Sequence, residues 1–287
     1  MKVMMIGAHP DDCEWYGCGT ALKYLQAGHE VRFLSVCNGS GGHHEMSKAQ
    51  IVERRRKEID AVEKIMGITY DVWDNDDCEV MADLENRKRL VRYIREYKPD
   101  IIFTHRTNDY HADHRNTALL VQDSAYLLIV PNFCPDVLPL MKEPVIMYFY
   151  DNFNNPKFEP DVVIPTDDVI DVKFEVLNCH VSQVYEWLPF TLGKLEQVPV
   201  TGKERQAWLR EPRVPRNGKL LTEADLESIE LNSTSEYVEA IAAVKYREKL
   251  VERYGEKAHN ILFAEAFQAS EYGAPLTKEN MGYYFPI

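Results

Sequence analysis

The sequence predicts an α/β fold: a Rossmann-like, mostly parallel sheet flanked by helices, followed by a less regular C-terminal elaboration. Three observations predict it. Short apolar runs alternate with helix-periodic segments through the first half. Glycine or proline punctuates the helical segments at Gly28, Gly67, Pro99 and Pro131. The alternation then fades in a second half where proline, glycine and charge interrupt the pattern. Strands that alternate with helices need crossover connections, which are right-handed and yield parallel neighbours.

Residues 3–8 form an apolar run that ends at a turn and read as a buried strand. Residues 14–27 carry apolar side chains at helical spacing, with Gly28 as the stop. Residues 31–36 are a second buried strand, and 38–42 a Gly/Ser loop. A long charged helix over 46–66 is closed by Gly67, and another over 83–97 ends before Pro99. Residues 100–104 (DIIFT) are a third strand, 113–128 a helix and 144–150 a further strand. Beyond these, 167–180 reads as helix, 189–215 as loop, 233–254 as a long helix and 261–267 as a last strand. We read residues 1–287 as a single domain, with a core over 1–155 and the elaboration over 156–287. A boundary near residue 155 is the alternative.

The chain has 46 acidic residues against 33 basic, a formal charge of −13. Such a surface repels phosphate backbones and anionic lipid, which argues against nucleic-acid or membrane partners. No stretch approaches the ~20 apolar residues of a membrane helix. The opening MKVMMIGAHPDD breaks its apolar run too early for a signal-peptide core. Six cysteines lie scattered without a CxxC pair, so reduced thiols are the simpler reading. A soluble cytoplasmic protein is the expectation.

Ligands of an open parallel sheet bind beyond the carboxyl ends of its strands. Two clusters fall at such ends: Ala8-His9-Pro10-Asp11-Asp12 after the first strand, and His111-Ala112-Asp113-His114 after DIIFT. Each alone also reads as a helix cap; their coincidence at one sheet edge points to a site. Together they offer His9, His111, His114, Asp11, Asp12 and Asp113. Zinc takes imidazole nitrogen and carboxylate oxygen, and a catalytic site keeps three protein ligands and an open position. The surplus groups are what hydrolysis requires, a base for water and a donor for an oxyanion. Asp11 and Asp12 cannot both reach one ion from a tight turn without strain, which leaves one free as base. Dinucleotide binding is excluded: the first turn lacks GxGxxG, and its two aspartates would repel a pyrophosphate.

AHPDD after the first strand, with HxDH after a later one, resembles the PIG-L/LmbE-like family of zinc-dependent N-acetylglucosaminyl deacetylases. The resemblance covers roughly residues 1–130 well. It extends more loosely to His180-Val181-Ser182-Gln183 and Ala264-Glu265-Ala266-Phe267. By motif position it implies that His9, Asp12 and His114 bind zinc and that Asp11 is the general base toward water. It implies further that His111 stabilises the oxyanion and protonates the leaving amine, while Asp113 orients a histidine. Arg55, in a basic run on the long helix, and Asp109, two residues before HxDH, are then candidates to contact substrate hydroxyls. For Arg55 the competing reading is a solvated helix face; for Asp109 it is a turn or cap. The loop over 38–44 is placed to close over the site, with His43 and His44 read as exposed.

The resulting expectation is a zinc-dependent hydrolase that removes an N-acetyl or N-acyl group from an amino-sugar-like small molecule. Iron(II) or another divalent ion suits the same donors. Two rivals stand beside it: an amidohydrolase acting on a non-sugar amide, and a non-catalytic metal- or sugar-binding protein. A purely structural zinc closes its shell and needs no base, which disfavours the second. The resemblance also admits a homo-oligomer, for which no interface signature is visible.

Overall fold

The computed structural model describes residues 1–210, 222 and 238–287. Its N-terminal half is built from β1 (Lys2–Gly7), α1 (Asp12–Gln26), β2 (Glu30–Cys37), α2 (Lys48–Met66), β3 (Thr69–Asn75), α3 (Leu84–Tyr97), β4 (Ile101–Thr104), α4 (Ala112–Ala125) and β5 (Val145–Phe149). The later residues add β6 (Val162–Pro165), α5 (Ile170–Leu177) and β7 (Ala264–Gly273). The seven strands form one sheet in the order β3-β2-β1-β4-β5-β7-β6. β1 to β5 pair in parallel, while β7 runs antiparallel to both β5 and β6.

The parallel strands are covered on both faces, and their side chains divide by the two-residue period. Val3, Met5, Phe33 and Tyr70 pack with Cys18 and Ala21 of α1 and with Ile59 and Val62 of α2. Met4, Ile6, Leu34 and Val36 pack on the opposite face, with Leu90, Val91 and Ile94 of α3 and Leu120 and Val121 of α4. Each such buried side chain contributes ~1.5–3 kcal/mol relative to exposure. Helix ends follow local chemistry. Asp83 accepts the Asn86 N–H at 2.9 Å and starts α3. Lys98 takes a left-handed φ of 59° ahead of Pro99, which cannot continue the helix.

Several boundaries differ from the sequence reading. β3 is additional; only Tyr70 and Trp73 along it are buried, so its apolar signal is weak. β6 is also additional, a four-residue edge strand too short to stand out. The helix expected over 113–128 stops at Ala125 and tightens into a 3-10 turn, Tyr126–Ile129. The helix expected over 167–180 begins only at Ile170, because the Asp167 carboxylate accepts the N–H groups of Leu262 and Phe263. The last strand starts later and runs longer than 261–267. Within 189–215, expected as loop, Gly202–Arg210 is helical, and residues 211–215 lie outside the described residues. In place of one long helix over 233–254 there are two, Val238–Lys245 and Arg247–Tyr254, with 233–237 outside the described residues. Among the described residues no helix is long and apolar enough to cross a membrane.

Candidate metal centre and active site

In the order β3-β2-β1-β4-β5 the chain reverses its direction of winding between β1 and β4. A crevice opens beyond the carboxyl ends of those two strands. The loops after β1, β2, β3 and β4 all supply residues to a cavity of about 190 Å³, whose walls include His9, Asp11, Asp12, Asp77, His111 and His114. Gly7 makes the first turn feasible. A Cβ there would lie 2.7 Å from Asp12 Cβ, so only glycine lets β1 pass this close to the start of α1.

Asp12 Oδ2 accepts the Ala8 and His9 N–H groups at 2.9 and 2.7 Å, which locks the turn. Its Oδ1 lies 3.4 Å from His114 Nε2. His9 Nδ1 is 3.1 Å from the same Nε2 and 3.4 Å from Asp12 Oδ2. Donors each ~2.1 Å from a tetrahedral ion sit about 3.4 Å apart, and each of these pairs has about that spacing, His9 meeting Asp12 through Oδ2 and His114 meeting it through Oδ1. Donor atoms of His9, His111 and His114, and of Asp12, His105 and His114, also lie within 4.8 Å of one another. His9 Nε2, on the far side of the ring, faces Asp77 Oδ1 at 3.1 Å and Asp113 Oδ2 at 3.3 Å. That is the carboxylate support a ligating imidazole needs to fix its tautomer. Asp113 is itself held by the Cys78 and Val80 N–H groups.

The electrostatics describe a site short of positive charge. Burial opposes the charged form of His9, but Cys37 and the carboxylates of Asp113, Asp12 and Asp77 outweigh it and raise His9 well above its usual value. Burial likewise opposes His114, yet Asp12 and Asp109 lift it to about 9. For Asp12 burial favours the neutral acid, and His114 and His105 overcome this to hold it well below the carboxylate range. Both shifts run toward added positive charge among these carboxylates.

His111 is the N-cap of α4: its Nδ1 accepts the Asp113 N–H at 3.1 Å. A neutral imidazole that accepts at Nδ1 carries its proton on Nε2. Burial, with His9 and His114 nearby, lowers the pKa of His111 and keeps it neutral. It therefore presents an N–H donor and caps the helix at once. Asp109 does not line the cavity. Its Oδ1 accepts the His111 N–H at 2.9 Å and lies 3.0 Å from His114 Nδ1, an ion-pair contact rather than an aligned hydrogen bond. Arg55 is not on a solvated face. It is 3 % exposed, with Nη2 2.6 Å from the Pro10 carbonyl and 3.0 Å from Asp11 Oδ1.

Two site residues escaped the sequence reading. His105, directly after β4, accepts the Ala8 N–H at 3.2 Å, sits 3.1 Å from Asp12 Oδ2 and stacks on His114 with centroids 4.0 Å apart. Its signal was its place at a strand end, masked by the denser HxDH six residues on. Asp77 follows the unrecognised β3 in an acidic turn, Asp74 to Asp77. The loop histidines are packed rather than exposed: His43 Nε2 is 2.9 Å from Glu186, and His44 stacks on Phe190 at 4.1 Å. Trp15, Tyr16, Arg55, Tyr110, Gln183 and Trp187 also line the cavity.

The late motifs brace the site from behind. His180 Nε2 meets Glu14 at 2.8 Å, Ser182 donates to Glu58, and Gln183 donates to the Gly42 carbonyl. Glu265 accepts the Gly19 and Thr20 N–H groups of α1 and pairs with buried Lys173.

Comparison with known proteins matches residues 4–125 to the PIG-L family, GlcNAc-PI de-N-acetylase. The chain is similar to the diacetylchitobiose deacetylase of Thermococcus kodakarensis, 28 % identical over 209 residues that span 66 % of this chain and 74 % of the relative. It is also similar to the 4-oxalmesaconate hydratase of Pseudomonas putida, 22 % identical over 204 residues covering 68 % and 79 %. Among solved structures, the 4-carboxy-2-hydroxymuconate hydratase of Pseudomonas putida superposes with a TM-score of 0.65 at 18 % identity, over 98 % of this chain and 99 % of the other. At that identity it shows a shared fold.

Proposed function

We propose, from the match of residues 4–125 to the PIG-L family model, that the chain is a metal-dependent hydrolase that removes an N-acetyl or similar acyl group from an amino-sugar-like small molecule. The observation that carries this is the convergence of His9 Nδ1, His114 Nε2 and the Asp12 carboxylate at cation-binding distances, with Asp11 and His111 on the same cavity wall.

His9, Asp12 and His114 would hold the ion. Zinc is the expected metal for His₂Asp with an open position, and iron(II) the alternative. When bound, the ion supplies Lewis acidity toward water and the acyl carbonyl. Asp11, outside the donor set, takes the proton from the attacking water. His111 Nε2–H would donate to the oxyanion as it develops, and the proton that Asp11 takes from the water would pass on to the departing amine. Asp113 and Asp77 orient His9, and Asp109 orients His114.

The hydratase relatives raise a second reading, addition of water to an unsaturated carboxylate. The charge of the cavity argues against it. Asp11, Asp12 and Asp77 face the ligand space, and the single guanidinium there, Arg55, is already paired with Asp11. A substrate bearing several carboxylates would meet like charge, whereas a neutral amide that releases a cationic amine would not. The test offers metal-loaded protein three substrate classes: N-acetylglucosamine derivatives, N-acyl amino acids and unsaturated dicarboxylates. Amine release from the first class is expected. Loss of a dienoate absorbance with no amine release from any amide would refute the proposal. Metal analysis of anaerobically purified protein identifies the ion.

A further inference from the structure

The resemblance to the deacetylase family cast Arg55 as a substrate contact; it lines the cavity, yet its Nη2 is engaged by Pro10 and Asp11. Its side chain is 3 % exposed. Nη2 donates to the Pro10 carbonyl at 2.6 Å and forms an ion pair with Asp11 Oδ1 at 3.0 Å, so one nitrogen engages both residues that precede Asp12. The other side of the guanidinium is roofed by the loop after β2. Gly39 there has φ +71°, and a Cβ on it would lie 2.7 Å from Arg55 Cδ and Nη1. The same loop reaches the metal cluster, since Gly41 N donates to Asp77 Oδ2 at 3.2 Å and Asp77 Oδ1 faces His9 Nε2. Asp11 itself accepts no helix-capping hydrogen bond. Its carboxylate is therefore oriented by Arg55 rather than by the backbone of α1.

We infer that Arg55 is a positioning residue. It fixes the Asp11 carboxylate toward the open face of the site, and the glycine loop shapes the slot that holds its guanidinium. This rests on the reading of Asp11 as the base toward water. A guanidinium suits the task because it can bond a carbonyl and a carboxylate together from one rigid plane; an ammonium can offer the charge without that geometry.

The test uses the metal-loaded full chain carrying Arg55→Gln, Arg55→Lys, Gly39→Ala, Asp11→Asn and the Asp11→Asn/Arg55→Gln pair. With metal content equal to wild type, Arg55→Gln should lower kcat ~10²-fold, the scale of a displaced general base, with KM changed less than about twofold. Arg55→Lys should recover part of the loss. Gly39→Ala keeps the guanidinium but crowds it, and should slow turnover in the same direction. The double variant should be no slower than Asp11→Asn alone, because residues that act as one unit are not additive. A second readout needs no turnover: the affinity of Asp11→Asn protein for N-acetylglucosamine by calorimetry should be unchanged when Arg55→Gln is added. A rise in KM or Kd of tenfold or more at constant kcat makes Arg55 a substrate contact and overturns the inference, as does a double variant slower than Asp11→Asn by the full factor. If wild type hydrolyses no amide, the proposed function fails. Thermal unfolding of the same four-protein cycle then decides this inference alone: additive losses in Tm overturn it, and a double variant no less stable than Arg55→Gln supports it.

Discussion

His111 carries two duties that a pair of substitutions can separate. Its Nδ1 caps α4 by accepting the Asp113 N–H, and its Nε2–H faces the cavity. Loss of an N-cap costs ~1 kcal/mol. Loss of a single oxyanion donor costs ~10²–10³ in kcat, about 2.7–4 kcal/mol. His111→Ala removes both functions and should show both losses. His111→Asn is different, because asparagine is among the best N-caps yet its short amide cannot serve as the cap and also reach the place of Nε2. It should keep wild-type stability while kcat falls by the same ~10²–10³. Metal content should stay at wild type in both, since His111 is outside the proposed ligand set. The assay is amine release at saturating substrate, alongside thermal unfolding on the same preparation. A His111→Asn protein with kcat within threefold of wild type would refute the donor role and leave His111 a cap alone. Loss of metal from either variant would place His111 among the ligands.

Replacing His9, Asp12 or His114 by Ala should each lower metal occupancy, read by elemental analysis after dialysis against trace metal. Full occupancy in any one removes it from the ligand set. Asp11→Asn should retain metal and lose ~10²-fold or more in turnover; loss of metal would put Asp11 in direct contact with the ion. Gly7→Ala forces a Cβ to within 2.7 Å of Asp12 Cβ and should cost ~1–3 kcal/mol of stability together with weaker metal retention; an unchanged Tm contradicts the close approach. In metal-free protein, His114 is raised from 6.5 to about 9, so its pairing stabilises fully below about pH 6.5 and the contribution fades as the pH rises through about 9. The Tm of metal-free protein should fall across that window. Metal addition at pH 7 should release protons, seen as a buffer-dependent calorimetric heat. A flat Tm and zero proton release would contradict the charged state of the cluster.

Much of the sheet was legible because its strands are buried on both faces. Val3 to Ile6, Ile101 to Phe103 and Val145 to Phe149 are apolar without interruption. β3 and β6 were not legible. One shows a weak, half-buried pattern and the other is only four residues long. The site divides along the same line. His9, Asp11, Asp12, His111, Asp113 and His114 sit in dense motifs directly after strands or at a helix start, where chemistry and topology coincide. His105 and Asp77 stand singly, and what marks them is proximity in space: His105 under His114, and Asp77 against the far nitrogen of His9. Arg55 shows the limit from another side. Three adjacent arginines leave the helical register undecided in sequence. Burial resolves it, because Arg54 pairs with Glu186 and Arg56 with Asp60, while Arg55 alone turns inward to Asp11.

The carboxylates around the crevice explain why these groups need one another. Asp11, Asp12, Asp77 and Asp113 lie close together at 0–8 % exposure, with Asp109 half-buried beside them, and one guanidinium, Arg55, is buried among them. Buried charge left uncompensated costs several kcal/mol per ion, so such a cluster cannot stay anionic. Two responses are open to it. His9 and His114 can hold protons, which is the direction both pKa values take. Alternatively a divalent cation can supply the charge, in which case both histidines become neutral ligands and the carboxylates behind them set their tautomers. The second response uses the geometry more fully. His9 Nδ1 and His114 Nε2 point at each other across 3.1 Å, a contact that repels if both rings are protonated and that is a suitable edge of a coordination shell if they are not. The aspartates that make the protonated state tolerable are therefore the same ones that make the site selective for a cation.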